Sequence, residues 1–163
     1  MNTYVEDKIS AITTNDPNKV KVYKDGYDSH SLASYYYFPE ELGHLPETVD
    51  GINSIKDLFP DIRNDSKPVT FAMTYQGTWI TLVKNCGFSE QKAKLTEKRY
   101  QNLYKVAVEW VRQKLIQASK DGYVTGAFGL RLRTPKLAQT LYGTGNKIPY
   151  EAEAEGRSAG NML

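Results

Sequence analysis

The sequence predicts a mainly helical chain with one short β-hairpin, an α+β fold. Apolar residues recur at helical spacing along most of the chain. Gly, Pro, Asn and Asp mark element ends at regular intervals, and two short β-rich runs flank a pair of glycines. With 163 residues, 40% hydrophobic and 25% charged, the chain has the composition of a globular protein and can bury a real core. We therefore expect one compact domain.

Residues that start or stop helices divide the first 60 residues into short elements. Asp28 is a typical N-cap, and proline is disfavoured inside helices because it lacks a backbone N–H donor. The predicted helices cover residues 2–13, 29–37 and 52–59, with breakers at Asn15-Asp16-Pro17, Pro39 and Pro60 and a polar loop over 40–51.

Longer helices are predicted in the middle of the chain. One runs from residue 62 or 63 to Lys84, and Ser89 is a good N-cap for the longest helix, which extends to Gly122. Residues 150–163 are also predicted to be helical. The apolar positions of the longest helix are Leu95, Leu103, Val106, Trp110 and Leu115 or Ile116.

The β-rich runs lie between these last two helices. Tyr123–Thr125 and residues 130–134 are predicted to pair as strands around Gly126 and Gly129. Pro135 stops the second strand because it cannot donate to the ladder.

The chain shows no sign of secretion or membrane insertion. Its one cysteine, Cys86, cannot form an internal disulfide, and no apolar run approaches the ~20 residues that a membrane-spanning helix requires. We expect a soluble, cytoplasmic protein with no membrane partner.

Charge is spread unevenly along the chain. The formal net charge is only +2, but the stretch from Lys92 to Lys136 holds eleven basic residues against three acidic ones. Such a stretch is most often the solvated face of a long helix. The weaker alternative is a helical regulator that binds DNA through it.

The most informative pattern is a stripe of Arg63, Lys67, Phe71 and Tyr75, spaced by four. On one helix it spans about 18 Å at ~1.5 Å per residue, the length of a nucleoside triphosphate. The two cations lie in early turns, where the helix dipole disfavours them unless an anion binds nearby. The two rings could contact sugar and base, and Gly77 leaves room for close approach. The alternative is an ordinary amphipathic helix with its aromatics in the core and its cations at the rim.

Residues 63–77, RNDSKPVTFAMTYQG, resemble the motif B helix of the family A DNA polymerases, of the bacterial polymerase I and tailed-phage type. The family pattern is R-x3-K-x3-F-x3-Y-G. Here Gln76 stands where the glycine usually follows, and Gly77 comes one residue later. By this resemblance Arg63 and Lys67 would hold the incoming deoxynucleoside triphosphate (dNTP), Phe71 would pack beside its sugar, and Tyr75 would lie by the nascent base pair.

Three further segments resemble the same family in the correct order. GYDSH, residues 26–30, is similar to the G-x-D-x-H segment, whose histidine, here His30, approaches the triphosphate. The hairpin is similar to the family's G-Y-V … G-R-R-x-x-x-P pattern, which makes Arg131 its template-side arginine. Arg157 and Asn161 match the R-x3-N spacing of a helix that lies against the minor groove of the primer-template.

The start of the chain resembles motif A of that family, D-Y-S-x-x-E-x-R-I. Glu6 matches the carboxylate that excludes ribose 2′-hydroxyls, and the catalytic aspartate position falls on Met1. Methionine cannot ligate Mg²⁺, which requires oxygen ligands. The second metal carboxylate belongs to a later H-D-E motif, which we expect beyond Leu163. No complete catalytic or metal-binding set is therefore expected in these residues.

The resemblance implies the fingers and the adjoining palm part of a right-hand DNA polymerase. Its expected function is template-directed dNTP addition in DNA replication, with primer-template DNA and dNTP as partners and Mg²⁺ as cofactor of the complete enzyme. We expect a fragment that binds both but lacks chemistry alone. The alternative is a non-catalytic DNA-binding or assembly module that complements a separate palm-bearing polymerase chain. The expected segments are 1–16 from palm motif A, 17–121 as fingers including a nucleotide-binding helix over 62–84, 122–135 as hairpin, and 136–163 as the truncated return to the palm.

Overall fold

The computed structural model describes residues 4–126 and 128–163, without the side chains of Tyr4 and Glu6. These residues form helices and one hairpin, as the fold class predicted. The helices are α1 Tyr4–Thr14, α2 Pro17–Asp25, α3 Ser29–Tyr37, α4 Pro39–Leu42, α5 Val49–Asn53, α6 Ile55–Leu58, α7 Pro60–Thr74, α8 Trp79–Cys86, α9 Glu90–Leu103, α10 Lys105–Asp121, α11 Pro135–Ala138 and α12 Tyr150–Met162. The strands are β1 Tyr123–Thr125 and β2 Arg131–Arg133.

The chain divides into two compact units, which corrects the expectation of one compact domain. The first ends at Ala107 and the second runs from Val108 to Leu163, so the boundary falls in the first turn of α10. Chain length does not reveal how the apolar residues are shared between cores.

The first unit is built around helices α2 to α7. Its buried cluster consists of Val22, Leu32, Leu42, Ile52 and Ile55. Partly buried aromatic residues, among them Tyr27, Tyr35 and Phe59, pack around it. This core supports α3, against which α7 is fastened.

The predicted helix over 62–84 is wrong, because the structure breaks it into α7 and α8. Gln76 adopts a left-handed conformation with φ of 63°, and its N–H donates to the Met73 carbonyl at 3.1 Å. The Gly77 N–H donates to the Ala72 carbonyl at 2.7 Å. These two bonds form a Schellman motif, which ends α7. A Cβ on Gly77 would lie 2.5 Å from the Ala72 oxygen, so the close approach that requires glycine comes from its own helix.

Local residues also explain how α8 begins and ends. The Thr78 N–H donates to Thr81 Oγ1 at 3.3 Å in a capping box. Gly87, with φ of 67°, closes the helix.

The predicted helix from Ser89 to Gly122 is also two helices, because Tyr104 interrupts it. Asp16 Oδ2 accepts from the Ala107 N–H at 2.9 Å and so caps the start of α10. Asn18 Nδ2 donates to the Leu103 carbonyl at 2.6 Å at the end of α9. The groups that divide this helix come from the start of α2.

Three short helices among the described residues, α2, α4 and α11, lie where none was predicted, and the predicted helix over 52–59 is split into α5, which starts at Val49, and α6. Helix α2 follows directly after Asp16, which caps it through Oδ1. The predicted polar loop over 40–51 contains most of α4 and the start of α5, and α11 follows the hairpin. These helices are too short to show a clear apolar period.

The second unit packs the hairpin against α10, α11 and α12. In the antiparallel register Tyr123 pairs with Arg133, Val124 with Leu132, and Thr125 with Arg131. The inward residues Val124 and Leu132 join a core of Leu115, Ala118, Leu137 and Ala159. The predicted hairpin and the final helix are confirmed.

None of the helices in the described residues has both the length and the apolar character needed to cross a bilayer.

Candidate nucleotide-binding site

Helix α7 is fastened to α3 by buried hydroxyl groups. The Ser66 Oγ lies 2.8 Å from the Arg63 carbonyl and 3.2 Å from the His30 carbonyl, and its one proton can be donated to either. Thr70 Oγ1 donates to the Ser66 carbonyl at 3.1 Å and lies 3.0 Å from the Tyr37 hydroxyl. Because the Thr70 proton is used in that bond, Tyr37 is the donor to Thr70. These bonds fix the rotation of α7 and hence the direction of the stripe.

Arg63, the first residue of the stripe, is paired with Asp28. Its Nε lies 2.7 Å from Oδ2 and its Nη2 lies 2.9 Å from Oδ1, a bidentate geometry. The side chains are only 13% and 16% exposed. Burial acts to raise the pKa of Asp28, but hydrogen bonds from Arg63 and Ser31 outweigh it and hold that pKa well below its usual range. Asp28 therefore stays ionised and orients the guanidinium.

His30 follows two residues after Asp28, in the first turn of α3, and is held neutral. Burial lowers the pKa of His30 below its ordinary 6.5, and the charges of Arg63 and Lys67 lower it further. Asp28 and Asp7 oppose this without reversing it. The Nδ1 atom is buried without a hydrogen-bond partner among the described residues. A buried unpaired nitrogen is costly and calls for an explanation, which functional sites often provide.

Lys67, in contrast, is held only at the surface. Its Nζ donates to Asn64 Oδ1 at 2.7 Å, and none of the ion pairs among the described residues includes it. Its full positive charge is therefore presented on this face of α7.

The two aromatic residues complete the stripe at the other end of α7. Phe71 and Tyr75 are 38% and 45% exposed, and their rings lie parallel, 5° apart in plane and 6.5 Å between centroids. An ordinary amphipathic helix would bury the rings and expose the cations. Here Arg63 is mostly buried and both rings are exposed, so the structure argues against the ordinary amphipathic alternative.

The stripe on α7 and His30 on α3 thus belong to neighbouring helices of the first unit, and their role in nucleotide binding stays a prediction. Sequence reasoning missed Asp28, although it lies in the segment that pointed to His30. The pairing had no local signal, because Asp28 and Arg63 are 35 residues apart in sequence and meet only when α3 and α7 pack together.

Of the motif A residues, little can be placed. Met1 lies outside the described residues, and Glu6 is described only through its backbone in α1.

The three predicted DNA-binding residues lie in the second unit. Arg131 is exposed on β2, with its guanidinium carbon 4.7 Å from the centre of the Tyr123 ring. Arg157 and Asn161 lie one turn apart on α12, where Arg157 Nη1 is 3.9 Å from Glu153 Oε2 and Asn161 is exposed. Their hydrogen-bonding groups are accessible from solvent.

Metal ligation was tested on the donor groups that the structure describes. No three His, Cys, Asp or Glu side chains in residues 4–126 and 128–163, Glu6 excepted, are grouped so as to hold a metal ion. The described side chains therefore do not fit a Mg²⁺ site.

The fold resembles part of a polymerase POL domain. The structure resembles the "POL domain of Pol1 from M. smegmatis complex with DNA primer-template and dNTP", with a TM-score of 0.73 at 23% identity over 98% of this chain and 25% of that chain.

A comparison with protein families matches residues 4–162 to the family described as DNA polymerase family A. The chain belongs to this family, and the resemblance predicted from its motifs is confirmed.

Curated relatives agree with this assignment. The chain is 26% identical over 161 residues to "DNA polymerase I, thermostable" of Thermus thermophilus, which covers 97% of this chain and 18% of that protein. It is 26% identical over 158 residues to the enzyme of the same name from Thermus filiformis, covering 97% and 17%. It is 25% identical over 133 residues to DNA polymerase I of Mycobacterium leprae, covering 82% and 13%. The chain thus spans less than a fifth of the length of these relatives.

Proposed function

We propose that the chain is the fingers part, with some adjoining palm, of a DNA-directed DNA polymerase that adds dNTP to a primer-template. Family membership supports the reaction class. The observation that carries the proposal is the stripe on α7, where a surface cation precedes two exposed parallel rings. A polyanion followed by a sugar and base is the ligand that matches this order of groups.

The structure favours unequal roles for the two cations. Asp28 balances the charge of Arg63, so Lys67 supplies most of the attraction for the triphosphate. Arg63 acts as an oriented guanidinium beside it. A neutral His30 would hydrogen-bond to a phosphate oxygen rather than form an ion pair.

The aromatic end would receive the nucleoside. Phe71 would pack beside the sugar and Tyr75 beside the nascent base pair, with apolar and stacking contact as the main contribution. Glu6 would exclude ribose 2′-hydroxyls. Arg131, Arg157 and Asn161 would contact the primer-template.

The chemistry would need groups beyond those described. Two Mg²⁺ ions in the complete enzyme would activate the primer 3′-hydroxyl and neutralise charge on the leaving pyrophosphate. The residues of this chain would position and bind, which is the fingers' share of catalysis. We therefore propose a fragment that binds without catalysing, in the cytoplasm of a bacterium or of a phage-infected cell.

The test is dNTP binding by the purified chain, measured by titration calorimetry with a primer-template present. Lys67→Ala should weaken binding at least tenfold, because a charge-assisted contact is lost. Lys84→Ala is the matched control, since it removes an exposed lysine from the neighbouring α8. Equal binding by all three proteins would contradict the proposal.

Primer extension separates the two versions of this function. The chain alone should not extend a primer. Extension by the chain alone would show that it carries its own catalytic groups. Extension only after addition of a palm-bearing chain would favour the complementing module.

A further inference from the structure

The tip of the hairpin presents a phenylalanine to solvent. Phe128 is 97% exposed and Leu130 is 69% exposed. The turn that carries them is closed by backbone bonds, from the Gly126 N–H to the Leu130 carbonyl at 2.9 Å and from the Gly129 N–H to the Gly126 carbonyl at 3.0 Å. Gly129 permits this turn because its φ is +77°. The ring is thus held out by a defined turn.

The strand that follows the tip is basic on its outer face. Val124 and Leu132 point into the core, so alternation places Arg131 and Arg133 outward. Both arginines are exposed, and neither takes part in the ion pairs found among the described residues. The ring of Tyr123 lies 4.7 Å from the Arg131 guanidinium carbon and helps to orient it.

An exposed ring at the tip, followed on the next strand by two exposed arginines, matches the chemistry of a single strand of nucleic acid. Its phosphates attract arginine, and each base offers a flat face on which an aromatic ring can stack. A purely apolar partner would leave the two arginines uncompensated. Turn tips most often carry Gly, Pro, Asn, Asp or Ser, so a ring that is 97% exposed is an unusual residue at this place.

We propose that Phe128 stacks on an unpaired base of single-stranded DNA, while Arg131 and Arg133 bind the adjacent phosphates. The proposed function identifies this strand as the template overhang, and to that extent the inference rests on it. The stacking itself requires neither dNTP nor catalysis.

The test uses three oligonucleotide probes at one fixed salt concentration. The first is a primer-template with 2-aminopurine in its 5′ overhang, the second is the same duplex with blunt ends, and the third is the overhang strand alone. Wild type should change the 2-aminopurine fluorescence when it binds. Phe128→Ala should abolish that change and weaken binding to the overhang probes about tenfold, while blunt-duplex affinity stays the same.

Matched variants separate stacking from charge and from folding. Phe128→Trp should retain the fluorescence change, and Leu130→Ala, at the same tip, should leave it intact. Changing Arg131 and Arg133 together to Gln should reduce the salt dependence of binding, which Phe128→Ala should not. Thermal melts of all variants should match wild type because the altered side chains are exposed.

Three results would overturn the inference. One is that Phe128→Ala binds the overhang probes as tightly as wild type does. This result is also expected if the tip contacts a protein instead. Another is an equal loss on blunt and overhang probes. The third is failure of wild type to bind any probe, which would overturn the proposed DNA binding as well. Failure of dNTP binding alone would count against the nucleotide site and leave the stacking site standing.

Discussion

The two ends of the stripe on α7 are held by different means. At the first end a buried ion pair with Asp28 fixes Arg63, and α3 supplies both Asp28 at its N-cap and His30 in its first turn. At the other end the rings of Phe71 and Tyr75 lie parallel to each other, and the Schellman motif at Gln76 and Gly77 sets where Tyr75 lies. The charged end thus depends on electrostatics between helices, and the aromatic end on the backbone of one turn.

This difference predicts two kinds of sensitivity. Changes at the charged end should alter stability and its dependence on pH, because charge there is removed from water. Changes at the aromatic end should act through steric fit and backbone conformation, and they should not depend on pH. The following variants test each side of that comparison.

The largest effect is expected from Asp28→Asn. It leaves the guanidinium of Arg63 in a mostly buried place without its charge partner, which should cost about 3 kcal/mol of folding free energy. Urea denaturation measures this. Glu90→Gln, which breaks the exposed pair with Lys94, should change stability little. Equal losses in the two variants would contradict a special role for the buried pair.

Gly77→Ala should cause the second-largest loss of folding free energy, about 2 kcal/mol, because its Cβ would meet the Ala72 carbonyl oxygen at 2.5 Å. Gly87→Ala is the control, since its Cβ meets nothing within 4 Å. Its only expected cost is the strain of placing alanine at φ of +67°, about 1 kcal/mol. Thermal melts give the two costs. Only Gly77→Ala should also weaken dNTP binding, because it displaces Tyr75; the same binding loss in both would argue against this.

Gln76→Gly should stabilise the chain by about 1 kcal/mol. Gln76 adopts φ of 63°, which glycine accepts without steric cost. The gain should appear as a higher denaturation midpoint at an unchanged slope, and dNTP affinity should stay the same. A loss of stability would mean that the Gln76 side chain contributes more than its backbone costs.

The smallest expected effect is a pH slope due to His30. Its pKa is lowered on folding, so the unfolded chain binds the proton more readily and stability falls as pH drops below about 6.5. The charged groups that set this are Arg63 and Lys67, opposed by Asp28 and Asp7. Unfolding measured between pH 8 and pH 5 should show this slope in wild type and a reduced slope in His30→Gln. His44→Gln, at an exposed site, should keep it; an unchanged slope in His30→Gln would remove His30 as its source.

The two helix breaks show which parts of the fold sequence reasoning could reach. The break at Gln76 and Gly77 is encoded locally, by a glycine and by the Thr78 capping box, and could have been predicted from those residues. The break at Tyr104 depends on Asp16 and Asn18, which are far away in sequence. No local pattern around Tyr104 carries that information.

The candidate site shows the same division. Spacing by four was enough to place the stripe on one helix face, and motif resemblance added His30. Spacing could not show that Arg63 would be mostly buried and the rings exposed, since that depends on how the contacts of Ser66 and Thr70 with α3 set the rotation of α7. Asp28 was overlooked because its role appears only when α3 and α7 are packed together.

The most direct test of the account compares dNTP with inorganic tripolyphosphate as ligands of wild type, Lys67→Ala and Phe71→Ala. If Lys67 recognises phosphate and the rings recognise the nucleoside, Lys67→Ala weakens both ligands, whereas Phe71→Ala weakens dNTP and leaves tripolyphosphate unchanged. If Phe71→Ala weakens both ligands alike, or if neither variant affects either ligand, the division of the stripe into a phosphate end and a nucleoside end is wrong.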